Sequence, residues 1–212
     1  MITCGKEQII RILRAIATEI EKNKIYLTEL DSAIGDADHG INMNRGFKSV
    51  VEKVASVEDK CIGTILKTTG TALVSSVGGA SGPLYGTAFL YAGKELTGKE
   101  ELYPADIKTA FQAALEGIIK RGRAQVGDKT IVDTLSPVVD YLQSNLDNKP
   151  KEEILNDMEK AAGKGKDSTK EMIALKGRAS FLKERSRGHL DPGAVSCYIM
   201  IKAFVSILGD EK

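Results

Sequence analysis

Leu30-Asp31-Ser32-Ala33-Ile34-Gly35-Asp36-Ala37-Asp38-His39-Gly40-Ile41-Asn42 separates two stretches of helical periodicity, and its reading decides the fold. On its N-terminal side Ile9, Ile12, Leu13, Ile16 and Ile20 recur at intervals of three and four. On its C-terminal side Met43, Phe47, Val50, Val51 and Val54 do the same. Each set is one apolar stripe on a helix, so the run between them reads as a polar loop joining two amphipathic helices. Within eight residues it holds three carboxylates, Asp31, Asp36 and Asp38, followed by glycine and amide side chains at an expected helix start. Carboxylates so close repel one another unless cations sit between them, and hard oxygen ligands point to Mg²⁺ or Ca²⁺ and away from zinc. An EF-hand loop needs glutamate at its twelfth position, which here is Phe47 counted from Asp36 and Asn42 counted from Asp31, so that option fails. Mg²⁺ typically takes one or two carboxylates and fills its octahedron with water and substrate phosphates. The run therefore reads as half of a metal–nucleotide site, with a solvated turn as the competing reading.

Outward from this run the helical pattern continues to the end of the chain. Ile62, Ile65, Leu66, Thr69, Leu73 and Val77 form a third stripe that ends at Gly78-Gly79. Pro83 suits the first turn of a fourth helix over Leu84–Leu96, and Pro104 opens a fifth that stops at Gly122. Asp128 or Thr130 caps a sixth helix carrying Ile131, Leu135, Val138, Val139 and Leu142. A seventh begins at Pro150, with Gly163-Lys164-Gly165 expected to interrupt it, and Pro192 starts the last. Eight helices, no convincing alternating strand and short connections predict an all-α bundle. Neither a repeat nor a low-complexity linker divides the chain, so residues 1–212 are expected to form a single domain.

Composition removes several classes of function. Lys+Arg 30 against Asp+Glu 29 leaves a net charge of +1, so no global field recruits nucleic acid or membrane. Cys4, Cys61 and Cys197 are widely spaced and contain no CxxC pair, which fits reduced thiols in the cytosol. With no signal-peptide pattern and no uninterrupted apolar stretch of about 18 residues, a soluble cytoplasmic protein is expected.

In an up-and-down bundle the connections after helices one, three, five and seven share one end. These four connections are the polar, glycine-bearing ones. Besides the acidic run they are Ser75–Gly86, with Gly78-Gly79-Ala80-Ser81-Gly82-Pro83; Gly122–Thr130, with Gly127-Asp128-Lys129-Thr130; and the basic stretch Gly177–Ala194. Small residues ahead of a helix start let backbone N–H groups approach an anion, although the Gly-Lys-Ser/Thr signature of a P-loop is missing. Lys129 is a candidate to neutralise phosphate. Both histidines of the chain lie in these loops; His39 is read as a phosphate or ribose contact, or more sharply as a phosphoryl acceptor or general base.

Taken in order, these motifs resemble the nucleotide-binding L subunits of bacterial dihydroxyacetone kinases. The resemblance rests on Leu30-Asp31 with Ile34-Gly35-Asp36-Ala37-Asp38-His39-Gly40-Ile41-Asn42-Met43-Asn44-Arg45-Gly46-Phe47, and on Gly78-Gly79-Ala80-Ser81-Gly82-Pro83-Leu84. It also rests on Gly127-Asp128-Lys129-Thr130, Gly177-Arg178-Ala179-Ser180, Glu184-Arg185-Ser186 and Gly188-His189-Leu190-Asp191-Pro192-Gly193-Ala194. It implies an eight-helix antiparallel barrel with a nucleotide held at one end by interhelical loops. It further implies that Asp31, Asp36 and Asp38 hold two Mg²⁺ ions. By the same resemblance His39, Gly40, Ile41, Asn42, Ala80, Ser81, Gly122, Thr130, Arg178, Asp191, Pro192 and Gly193 would contact ADP or ATP. No side chain acts as a covalent catalyst in that scheme.

The implied activity is that of a phosphotransferase subunit. Tightly bound ADP would be rephosphorylated by a phosphohistidine-bearing M subunit of a phosphoenolpyruvate-dependent phosphotransferase system. The phosphoryl group would then pass to dihydroxyacetone held on a K subunit. The alternatives are an ATP-exchanging kinase subunit and a nucleotide-state sensor acting on a transcriptional regulator.

Overall fold

A computed structural model of the chain describes residues 2–210. Nine α-helices are present among them: α1 (Lys6–Lys22), α2 (Lys24–Ile34), α3 (His39–Val54), α4 (Ile62–Ser76), α5 (Ser81–Glu95), α6 (Pro104–Gly122), α7 (Ile131–Asn145), α8 (Lys151–Ser168) and α9 (Pro192–Gly209). Two-residue strands β1 (Cys4–Gly5) and β2 (Glu101–Leu102) pair antiparallel, Cys4 opposite Leu102. Periodicity in a single segment cannot reveal this pairing, because its partners are about a hundred residues apart in sequence.

Eight of the helices close a ring. From α3 to α9 each helix packs on the next, α9 returns to α1, and α1 packs on α3. The expected all-α, eight-helix barrel is therefore what the chain forms. The ninth helix, α2, stands outside the ring against α3 and α9. It arises because the opening helix breaks at Asn23, whose side-chain Nδ2 and backbone N–H both donate to the Glu19 carbonyl, at 2.8 Å and 3.0 Å. One contiguous core runs from Ile2 through Phe47, Leu73, Leu142 and Ile154 to Leu208. It encloses an apolar cavity of about 160 Å³, beside which Phe111 and Phe204 meet edge to face at 5.4 Å.

Two sequence expectations change here. Gly163-Lys164-Gly165 does not interrupt a helix: α8 runs unbroken to Ser168. Pro137 inside α7 has no N–H for the Asp133 carbonyl, and α8 packs onto that carbonyl so closely that a Cβ on Gly165 would lie 2.3 Å from it. The glycine marks a close approach of two backbones, a signal a helix break shares. The acidic run is likewise only partly a loop, since Asp31 lies in the last turn of α2 and His39 opens α3. By length and composition α9 resembles a membrane-crossing helix, but Lys202 interrupts it and Val195, Ile199, Ile201 and Leu208 are buried in the core.

Candidate functional site

The acidic run folds back on itself through Asp31. Its Oδ2 accepts from the backbone N–H groups of Asp38 at 2.9 Å and His39 at 3.1 Å, two donors that the start of α3 would otherwise leave unpaired. A Cβ on Gly35 would sit 2.0 Å from Asp31 Oδ1, so only glycine fits there. Ala37 turns the chain in the left-handed region, at φ 61°. As a result one carboxylate oxygen from each of Asp31, Asp36 and Asp38 lies within 4.8 Å of the others. The cationic side chain that reaches this group is Arg178, whose Nη2 is 2.8 Å from Asp36 Oδ2. Three hard oxygens in so small a space fit a hard divalent cation.

Across from the acidic run lies the start of α5. Thr130 caps α7 with its own hydroxyl and Asp191 caps α9 with its own carboxylate, but no side chain caps α5. The unpaired N–H groups of Ser81 and Gly82 in its first turn, next to the Gly78–Ser81 stretch that borders the cleft, make an anion cradle. Asn42 braces this stretch, with its amide against Gly78. Arg45 holds the amide from behind, donating to Asn42 Oδ1 at 2.7 Å and to the Ser76 carbonyl at 2.8 Å. In the sequence Arg45 stands within Asn44-Arg45-Gly46-Phe47, where nothing marks this bracing role.

His39 is buried, and both ring nitrogens are engaged: Nδ1 lies 3.1 Å from Ser81 Oγ and Nε2 lies 2.9 Å from Ser196 Oγ. Burial pulls the imidazole down to about 4, and the Asp31 and Asp38 carboxylates and the Pro192 carbonyl only partly oppose this. A phosphoryl acceptor at His39 would have to exchange one of these hydroxyl partners for the phosphoryl group. Burial also pushes the Asp191 carboxyl up to about 7, against the pull of the Ala194 N–H and Lys129.

Lys129 does not reach into the cleft as a free charge. Its side chain is 1% exposed, and Nζ donates to the carbonyls of Thr169 at 2.7 Å, Met172 at 3.3 Å and His189 at 2.5 Å. It clasps both ends of the long basic connection, which forms short 3₁₀ turns at Thr169–Glu171 and Arg178–Ser186. Burial lowers its pKa, with Asp191 and Glu171 opposing. A lysine in a loop looks the same in sequence whether it faces solvent or a ring of carbonyls.

A cleft of about 670 Å³ joins these parts. It brings together Asp31, Asp36, Asp38, His39, Asn42, Ala80, Ser81, Gly122, Thr130, Arg178, Asp191, Pro192 and Gly193. Gly40 and Ile41 do not border it. A Cβ on Gly40 would meet the Lys24 carbonyl at 2.0 Å, so this glycine serves the contact between α3 and α2. Ile41 is exposed on the outer face, beside Arg45 and Lys48. Ile34, Ala179 and Phe181 border the cleft and were not picked out from sequence.

The profile of the family described as DAK2 domain matches residues 33–206. The chain belongs to the DAK2-domain family. Similar DAK2-family proteins include the ADP-binding subunit DhaL of the PEP-dependent dihydroxyacetone kinase of Escherichia coli (strain K12), which is 46% identical over 199 residues, 93% of this chain and 95% of that one. The ADP-binding subunit DhaL of a PTS-dependent dihydroxyacetone kinase of Lactococcus lactis is 41% identical, over 90% of this chain and 91% of that one. The crystal structure of the C. freundii dihydroxyacetone kinase in complex with AMP-PNP and Mg²⁺ shares the fold, with a TM-score of 0.71 at 23% identity over 93% of this chain. The DAK2 fold takes up 33% of that longer kinase chain.

Proposed function

We propose that this chain, acting as one nucleotide-binding domain over residues 1–212, is the ADP-carrying subunit of a cytoplasmic dihydroxyacetone kinase. The observation that carries the reading is the cleft itself: three clustered carboxylates face an uncapped helix start across a space bordered by all four polar connections. Its support is the 46% identity to an ADP-binding subunit, matched over nearly the full length of both chains.

In this reading Asp31, Asp36 and Asp38 would hold two Mg²⁺ ions, which when bound neutralise phosphate charge and orient the transferring group. The N–H groups at the start of α5 and the Ser81 hydroxyl bind phosphate oxygens. Arg178 offers a charged fork to the same group from the opposite loop. His39, Asn42, Gly122, Thr130 and Asp191-Pro192-Gly193 shape the rest of the pocket. Phosphoryl transfer asks for positioning and charge neutralisation more than covalent chemistry; this chain supplies both without a nucleophile. The acceptor, dihydroxyacetone, sits on a K-type subunit. A phosphohistidine on an M-type subunit restores ATP from the bound ADP.

The test is mass spectrometry of the supernatant after denaturing protein purified in Mg²⁺ with no added nucleotide. Near-stoichiometric ADP released by EDTA is the expected result. Turnover of dihydroxyacetone with phosphoenolpyruvate and the K- and M-type subunits completes it. An empty protein that exchanges ATP freely overturns the carrier reading in favour of an exchanging kinase. Nucleotide binding without turnover favours a sensor.

A further inference from the structure

The Asn42 side chain stands between the cleft and a recess on the outer face. Asn42 and Gly78 border the cleft, whereas Arg45 and Ser76 border the recess, with Lys24, Ile41 and Lys48. From the outer side the Arg45 guanidinium makes a fork, with Nη2 donating to Asn42 Oδ1 at 2.7 Å and Nε to the Ser76 carbonyl at 2.8 Å. Toward the glycine stretch the amide lies flat. A Cβ on Gly78 would be 3.0 Å from Asn42 Nδ2, 3.1 Å from Oδ1 and 3.2 Å from Cγ. Asn42 is 6% exposed, and among the described residues its Nδ2 has no hydrogen-bond acceptor, while Oδ1 has Arg45.

A guanidinium only donates and an amide oxygen only accepts. The contact with Arg45 therefore identifies the two arms of the amide. The oxygen faces the outer recess, and the nitrogen, on the other arm, faces away from it. Away from the recess lies the cleft. A buried donor without an acceptor is costly unless a ligand supplies one. The Asn42 nitrogen lies against Gly78, on the approach to the uncapped start of α5 and its unpaired Ser81 and Gly82 N–H groups. An ionised phosphate group offers several acceptor oxygens and can take all of these donors together.

We propose that Arg45 is a positioning residue: it holds the Asn42 oxygen outward and so turns the Asn42 Nδ2 group to donate to a phosphate oxygen in the cleft. The inference rests on the reading of the cleft as a nucleotide site. In Arg45→Met nothing fixes which way the amide faces, and ADP affinity falls by about threefold or more, the worth of an ordinary hydrogen bond. Asn42→Ala removes the donor and lowers the affinity by about tenfold or more, as loss of a hydrogen bond to a charged group does. Because Arg45 acts through Asn42, Arg45→Met causes no further loss in the Asn42→Ala background. A role confined to tying α3 to the end of α4 through Ser76 would give equal losses in both backgrounds.

The experiment is NMR of the ¹⁵N-labelled protein in Mg²⁺, joined to calorimetric titration with ADP. Asn42→Ala identifies the side-chain NH₂ signals of Asn42. The expected result is that ADP moves one of these proton signals downfield and slows its exchange with water. Adenosine, which carries no phosphate, leaves the signal unmoved, and in Arg45→Met the response to ADP shrinks. An Asn42 amide that does not respond to ADP overturns the proposal, as does an equal response to adenosine. Both are read on the unsubstituted protein, so they decide even where a variant fails to fold. Equal losses of affinity for Arg45→Met in the two backgrounds also overturn it. Failure of the unsubstituted protein to bind ADP overturns the nucleotide reading itself, and the proposal with it.

Discussion

Arg178 Nη2 stands 2.8 Å from Asp36 Oδ2 and ties the last basic loop to the acidic run across the cleft. The two side chains are 66% and 36% exposed, so as an ion pair they contribute at most about 1 kcal/mol to folding. Their importance lies in the ligand. Arg178→Ala is expected to weaken ADP binding by about 1.5–3 kcal/mol, the worth of a hydrogen bond to a charged group, while the melting temperature barely moves. Titration calorimetry beside a thermal melt checks both; an unchanged affinity takes Arg178 out of the site.

Asp31 and Asp36 separate folding from binding. Asp31 is buried and accepts two N–H groups at the start of α3, so Asp31→Ala should cost about 1–2 kcal/mol of stability, as loss of a helix cap does. Asp36 lies at the cleft mouth, and Asp36→Ala should leave the melting curve nearly unchanged. Both should lose Mg²⁺-dependent ADP binding. A variant at either position that still binds ADP in a Mg²⁺-dependent manner contradicts the three-carboxylate site.

Lys129→Met keeps the length of the side chain and removes the ammonium. Three carbonyls, that of Thr169 buried and those of Met172 and His189 partly so, then lose their donor, at a cost of about 3 kcal/mol. The connection between Thr169 and His189 should loosen, with faster trypsin cleavage at Lys176, Arg178 and Lys183. Equal melting temperatures and equal protease resistance would refute the clasp.

The cysteines should differ sharply in reactivity. Hydrogen bonding from Thr64 lowers the Cys61 pKa, whereas burial pushes Cys197 up to about 12, and Cys4 is fully buried. A lowered thiol pKa raises the thiolate fraction near neutral pH, and a raised one removes it. Native alkylation followed by mass spectrometry should therefore find Cys61 modified first, at a rate that levels off below the pH usual for cysteine, with Cys197 modified only on unfolding. Early labelling of Cys197 would mean that α9 opens locally.

The sequence by itself determined the eight helices of the ring, though not α2, and the acidic cluster, because both depend on residues near one another in the chain. Stripes at three and four residues name the buried face of a helix whatever it packs against. Asp31, Asp36 and Asp38 are held together by one short turn. Even the grouping of four connections at one end follows from counting antiparallel helices. What a side chain meets across the barrel was decided only by the tertiary structure. Gly165 reads as a helix breaker until α7 is seen packed against it. Gly40 and Ile41 sit beside His39 in sequence, yet helical rotation turns one toward α2 and the other outward. Lys129 reads as a phosphate ligand until three carbonyls from a distant segment close around it. Tyr85 and Ser196, one turn inside their helices and 111 residues apart, carry no local signal at all. They meet across the inside of the barrel, from helices that are not neighbours in the ring, with the Tyr85 hydroxyl 2.7 Å from Ser196 Oγ.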